Sequence, residues 1–349
     1  MILALNFRAV AAALTLSVLV ATNALAEDHT PPALQKVTVG VLYIVADSAI
    51  FIAKEKGYFA KQGIEVDLNR FTSGADQIPL LATSKLDVGT GSATPGLFNA
   101  YVRGFDIPIV SSKAIISPRT EGGNVMMVRT DLYDSGKIRS SADLRGARIA
   151  VNNIQSTMLN YVVRGVATGG LAKSDVNLVE MPFTQFIPAL QKKAVDAVFP
   201  LSPLTETIAD RLKLAVRLPE TELSKTSAND TANMLFYSQG FMKSEAAKGF
   251  MIAFLKAKRD YQRAIFDGTG DRTEICGIIH KYLSFVPPDC SGMAMTAVDP
   301  DGSVNVRSLE RYQDEWIKWG VMHEPANIRA EVNMTYVNYA IDKLGKYRK

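Results

Sequence analysis

Residues 37–71 read VTVGVLYIVADSAIFIAKEKGYFAKQGIEVDLNRF, and the order of their parts decides the fold. Residues 37–44 are apolar on both alternating faces, the pattern of a parallel strand covered by helices on each side. Ser48 is placed to cap the helix that follows, whose apolar run 49–53 ends in Lys54, Lys56 and Gly57, a cationic last turn and a C-terminal glycine. Residues 64–71 form the next strand. The loop from Tyr43 through Asp47 to Ser48 therefore lies at the carboxyl end of a parallel strand and feeds a helix N-terminus, where ligands of open α/β sheets bind. Free backbone N–H groups and the positive end of the helix dipole favour an anionic or strongly polar ligand group there. No residue of the loop is an obvious catalyst.

Outward from this unit, one pattern occurs twice. The first strand leads to Ser48 and a helix, then to strand 64–71, helix 75–85, the strand opening at 86–89, and a turn at Thr94-Pro95. Strand 147–151 leads in the same way to Ser156-Thr157 and a helix, then to strand 176–181, helix 184–193, the strand at 195–198, and Ser202-Pro203. The offset is 108 residues from Ser48 to Ser156 and 109 from Asp87 to Asp196, so two α/β lobes are expected. Between them lie an apolar run at 107–116 and a second at 124–129, and residues 134–146 are a polar surface connection. Residues 234–238 read as the return to the first lobe. The remainder is helical by period, at 244–266, 272–285, 307–319 and 332–344, and its aromatic residues at helical spacing belong to a core.

The first 26 residues combine one charge, Arg8, a run of about a dozen apolar residues and Ala24-Leu25-Ala26. This reads as a cleaved secretory signal, the apolar run being shorter than the roughly 20 residues of a spanning helix. No cysteine stands near Ala26 to be lipidated, so the expected product is a free periplasmic protein. A mature chain of 323 residues (349 minus 26) exceeds the size of a single core. Its net charge of +3, the +4 of the full chain less Arg8, argues for neither nucleic acid nor a membrane surface. Cys276 and Cys290, 14 apart in an exported chain, are expected to form a disulfide, two separate buried thiols being the alternative.

Catalytic readings are poor. His29, His280 and His323 do not accompany a nucleophile at a strand end, and there is no G-x-S-x-G, H-E-x-x-H, Walker loop or C-x-x-C. The run 89–94, GTGSAT, lacks dinucleotide-loop order and reads as a strand end whose backbone approaches a small ligand. Binding chemistry is better provided. Strand-end turns supply Tyr43, Ser48, Ser73, Gly74, Gly91, Ser92 and Thr94 from one lobe, and Gln155, Ser156, Thr157 and Ser202 from the other. These hydroxyls, amide and N–H groups suit a sulfonate, carboxylate or nitrate-like group, or the heteroatoms of a small ring. No cofactor and no metal is expected. A calcium loop at DPDGS would need more regularly spaced oxygen ligands.

The phrases AKEKGYFAKQGIEVDL (53–68), SGADQIPLLATSKLDVGTGSATPGLFNA (73–100), RSSADLRGARIAV (139–151) and VDAVF (195–199) resemble the periplasmic substrate-binding proteins of ABC transporters in the sulfonate, nitrate and taurine group, which includes bacterial thiamine-pyrimidine binders. The resemblance implies a type II two-lobe periplasmic-binding-protein fold with two crossover hinge strands. In this chain that means lobe I at 36–118 plus 238–349 and lobe II at 119–237. It also implies a monomer that presents a small organic anion or nitrate-like ligand to an inner-membrane permease; the alternative ligand is a neutral pyrimidine-type ring. The same superfamily contains a fungal pyrimidine-synthesising enzyme, but its histidine and cysteine-rich segment have no counterpart here, so an exported enzyme is the remote reading. A ligand amine would want a carboxylate, which the turn at Ser202 does not itself offer; Glu206 lies a turn further on, and Asp47 and Glu121 are further acids. Arg119, at a hinge, is a rival anion clamp.

Overall fold

In a computed structural model the described residues are 34–120 and 123–349, so the signal segment, His29 and Glu121 lie outside them. Among the described residues ten strands form two five-stranded sheets. The first has the order β2-β1-β3-β10-β4, from β1 (Gln35–Val41), β2 (Ile64–Arg70), β3 (Val88–Gly91), β4 (Ile109–Ile115) and β10 (Thr231–Tyr237). The second has the order β7-β6-β8-β5-β9, from β5 (Met127–Arg129), β6 (Arg148–Val151), β7 (Asn177–Glu180), β8 (Ala197–Val198) and β9 (Ala215–Arg217).

The doubled pattern has a structural basis in its two aspartates. Asp87 Oδ2, just before β3, accepts both the N–H and the hydroxyl of Thr38 in β1, each at 2.8 Å. Asp196, just before β8, accepts the N–H of Arg148 in β6 at 2.9 Å and its guanidinium at 3.0 and 3.1 Å. In each lobe a carboxylate just before the third strand thus ties it to the first strand, at mid-strand Thr38 in one and at the opening Arg148 in the other. Burial acts to raise the pKa of Asp196, and its bonds to Arg148 outweigh this and hold it below the usual carboxylate range.

Several expected elements are shorter than their patterns. Strand 37–44 ends at Val41 because Asp47 Oδ2 captures the N–H groups of Leu42 and Ile44, both at 3.1 Å, and bends them out of the sheet. Helix 75–85 reduces to a 3-10 turn, Ala75–Gln77, and a helix, Ile78–Ala82. The long helix at 244–266 is Ala246–Gln262 followed by a π-helical turn, Arg263–Asp267, which Gly268 ends in the left-handed region at φ 69°. Strand β9 had no expectation. The return to the first sheet occurs with β10 at Thr231, ahead of the boundary placed after Tyr237.

The helix Val306–Lys318, expected in the first lobe alone, lies against both. Its Trp316 packs edge-on against Phe98 with ring centroids 5.4 Å apart, while the Tyr312 hydroxyl is 3.3 Å from that of Tyr161. Glu315 accepts the guanidinium of Arg164, which also donates to the buried Asp230 at the start of β10. Cys276 and Cys290 are joined, their Cα atoms 5.6 Å apart, in a core shared with β1 and the helix Ala246–Gln262. Among the described residues no helix is long and apolar enough to cross a membrane.

Strand directions settle how the sheets relate. β10 is antiparallel to β3 and β4, so β4 leaves the first sheet, and β10 enters it, at the edge where β1 and β3 end. β5 is antiparallel to β8 and β9, so β5 enters the second sheet and β9 leaves it where β6 and β8 end. Both crossovers therefore join carboxyl edge to carboxyl edge.

Candidate ligand cleft between two strand-end edges

On the first edge the loop after β1 is built around a buried ion pair. Lys113 of β4 donates to Asp47 Oδ1, and neither side chain is exposed. Thr90 donates to Gly40 O at 3.0 Å and sits 3.5 Å from the same carboxylate. Burial lowers the Lys113 pKa and Asp47 opposes that shift. Asp47 is thus buried beneath the loop with its oxygens occupied by protein donors. Ser48 is the first residue of the helix Ser48–Glu55 and no cap; it is buried and its hydroxyl donates to Val45 O at 2.6 Å.

Tyr43 is held at φ 54°, a left-handed conformation unusual for an aromatic residue. Its ring lies 5.5 Å from that of Phe51, with the Arg70 guanidinium 4.0 Å above it. Arg70 ends β2 and forms no ion pair among the described residues. Gly74 and Gly91 face each other so closely that a Cβ on either would lie 3.0 Å from the other's Cα. This contact closes the floor of a small pocket lined by Gly74, Ser92 and Thr94 with Ile78, Leu97 and Phe236. Thr94 caps the helix Pro95–Val102, accepting the N–H of Leu97 at 3.1 Å. Ser73 stays local, its N–H and hydroxyl engaged with Asp76.

On the second edge Ser156 caps the helix Thr157–Ala167, accepting the N–H of Met158 at 3.2 Å and donating to Asn153 O at 3.0 Å. Thr157 is only 4% exposed. Gln155 stands apart, on a groove with Lys173, Asn177, Glu180 and Val321 beside β7. Ser202 precedes a cis peptide to Pro203 and donates to Glu206 Oε1 at 2.8 Å. Arg119 is exposed and bound to Asp267 Oδ1 at 3.0 Å, away from the strand-end hydroxyls. Burial acts to raise the pKa of Asp267, and bonds from Tyr347, Arg119 and Gln262 outweigh it and keep the carboxyl low.

The structure thus sets Gly74 against Gly91 with Ser92 and Thr94 beside them, places Ser156 and Thr157 at one helix start and bonds Ser202 to Glu206, while Gln155 lines the groove beside β7 and Arg119 is held by Asp267. Residues missed by pattern reading are Lys113 and Asn152, while Glu206 was named only as an acid a turn beyond Ser202. Lys113 carried a signal, being a lone cation inside the apolar run 107–116. Asn152, the first residue past β6, carried none: its amide oxygen is buried without a partner. Among the described residues no cluster of His, Cys, Asp or Glu could hold a metal ion.

Comparison with known proteins agrees with this architecture. A putative binding protein of Brucella abortus is 26% identical over 287 residues, covering 78% of this chain and 82% of the relative. The periplasmic aliphatic sulphonate binding protein SsuA of Escherichia coli superposes with a TM-score of 0.66 at 18% identity, covering 86% of this chain and 92% of that one. The periplasmic nitrate-binding protein NrtA of Synechocystis gives a TM-score of 0.67 at 14% identity, with 89% of each chain covered. The fold is not confined to binding proteins, since the desulfurization enzyme DSZB shares it with a TM-score of 0.59 at 16% identity, covering 89% of this chain and 99% of that one. The family described as NMT1/THI5 like matches residues 47–263, more than half of the chain, and this protein belongs to it.

Proposed function

We propose that the protein is a periplasmic solute-binding protein, working as a monomer, that captures a small organic anion, a sulfonate or carboxylate, or a nitrate-like ion, and presents it to the permease of an ABC importer. The observation that carries this reading is topological: both crossovers join carboxyl edges, so the strand-end turns of the two sheets confront each other across two hinges. Each edge contributes the capped N-terminus of a helix of eight residues or more, at Thr94 and at Ser156, and such ends hold anions without a full positive charge. The binding-protein relatives support the same assignment, and they favour a binder over an enzyme.

A thermal-shift panel of sulfonates, aliphatic and aromatic carboxylates, nitrate and neutral pyrimidines tests it. A ligand at 100 times its Kd adds about 2.7 kcal/mol to stability. Stabilisation by pyrimidines alone would replace the anion with a neutral ring. Recovery of the bound compound unchanged after hours, by mass spectrometry, is expected of a carrier; its steady conversion would make the protein an enzyme. Small-angle scattering should show compaction with the stabilising ligand, because polar groups of both edges must reach it.

A further inference from the structure

Each five-stranded sheet ends in two edge strands, and folded proteins keep such edges covered, bonded or short. β4 is bonded along its outer side: the N–H of Ile109 donates to Glu331 O at 2.8 Å, and those of Ser112 and Ile115 donate to Gly302 O and Ala297 O at 3.0 Å. β2 offers Val66 O to Lys54 Nζ at 3.0 Å. β9 is three residues long. β7, the remaining edge, is treated differently.

β7 runs parallel to β6, and the N–H groups of Asn177 and Met181 donate to Ala147 O and Val151 O at 2.9 and 3.0 Å. Alternate residues of a parallel strand bond to opposite sides, so the N–H and C=O of Leu178 and Glu180 point away from β6. Among the described residues nothing bonds to these main-chain groups.

The same two residues line a groove of about 380 Å³. Val176, extended at φ -128° and ψ 158°, shares one face of the strand with Leu178 and Glu180, and all three border the groove. Ile154, Leu159 and Val321 complete its apolar lining. Two charges of opposite sign stand in it, Lys173 ahead of the strand and Glu180 at its end. Neither has an ion-pair partner among the described residues.

We infer that this groove docks an extended segment of another polypeptide, which adds to β7 as a sixth strand of the second sheet. Main-chain bonds to Leu178 and Glu180 hold the segment, and the apolar lining receives its alternate side chains. An acid of the segment answers Lys173 and a base answers Glu180. A free main-chain edge between unpaired charges of opposite sign fits an ampholytic strand, which offers all three kinds of contact at once. The groove lies beside β7, so docking there does not depend on which solute the protein carries.

Calorimetric titration with two capped peptides tests the inference: acetyl-Asp-Val-Thr-Val-Thr-Val-Lys-amide and acetyl-Lys-Val-Thr-Val-Thr-Val-Asp-amide. Their charge orders suit addition in the two opposite directions. One of them should bind saturably, one to one, about tenfold more tightly than the other, because only one order matches the two charges. In the better peptide, N-methylation of the alternate amides that face β7 should weaken binding about tenfold or more, while methylation of the other set should change it by less than about threefold. These comparisons need no variant to fold. Lys173→Glu with Glu180→Lys should reverse the preferred charge order, which places the peptide in this groove. Saturable binding of neither peptide, equal weakening by both methylation patterns, or an unchanged charge preference in the swapped variant overturns the inference. Sedimentation of the protein alone adds one more overturning result: a dimer that Glu180→Lys dissociates would make a second copy the occupant.

Discussion

Lys113 Nζ and Asp47 Oδ1 are 2.5 Å apart with both side chains fully buried, so the loop that opens the cleft stands on an ion pair that water does not reach. Removing one partner of such a pair leaves an uncompensated charge and costs about 3 to 5 kcal/mol. Lys113→Met should therefore lower the unfolding free energy by that amount in urea titrations. The double variant Lys113→Met with Asp47→Leu should lose less than the single one. Equal losses would mean that the pair contributes only packing.

Lys258 is a second buried cation, donating to Ser112 O at 2.6 Å, and burial brings its pKa down to about 7. The unfolded chain keeps this amine protonated up to about pH 10. Between the two values the unfolded state binds more protons, so stability rises with pH, by at most about 1.4 kcal/mol per pH unit. That contribution is fully present above the unfolded value and is lost as pH falls toward 7. Urea midpoints compared at about pH 7 and pH 9 should show this gain in the wild-type protein and its absence in Lys258→Met.

The Cys276–Cys290 bridge closes a short loop, with 14 residues of separation, and loops of that size are worth roughly 3 kcal/mol. Replacing both cysteines by serine should cost about that much in denaturant. Titration of free thiols in denatured, unreduced protein should find none.

Ser156 and Thr157 open the helix of the second edge, and Arg119 is held by Asp267. Ser156→Ala with Thr157→Val should weaken ligand binding by roughly 2 to 4 kcal/mol, the sum of charge-assisted bonds with allowance for non-additivity. Loss of the cap should also cost about 1 kcal/mol of stability. Arg119→Gln should weaken binding less. The reverse order in calorimetry would make the site an arginine clamp.

What the chain determines by itself is its periodic content. Apolar strands ending in Ser, Thr and Gly, twice over at an offset of 108 to 109 residues, specify the parallel strands of two sheets with polar carboxyl edges, because strand period and turn chemistry are local properties. Even Asp87 and Asp196 were visible as a matched pair, although not their task of tying strands together. Tertiary structure decided what each polar side chain is for. Asp47 looked like a ligand group and is a buried counter-ion, since Lys113 reaches it from a strand 66 residues away. Ser202 was read as a ligand contact, and its hydroxyl is bonded to Glu206 and accepts the N–H of Ala294 from a loop 92 residues later. Val306–Lys318 looked like part of one lobe and braces two, through Trp316 on one side and Tyr312 on the other. Hydrogen-bond partners over such separations depend on how the lobes pack, and no local pattern encodes which donor a buried oxygen will meet or lack.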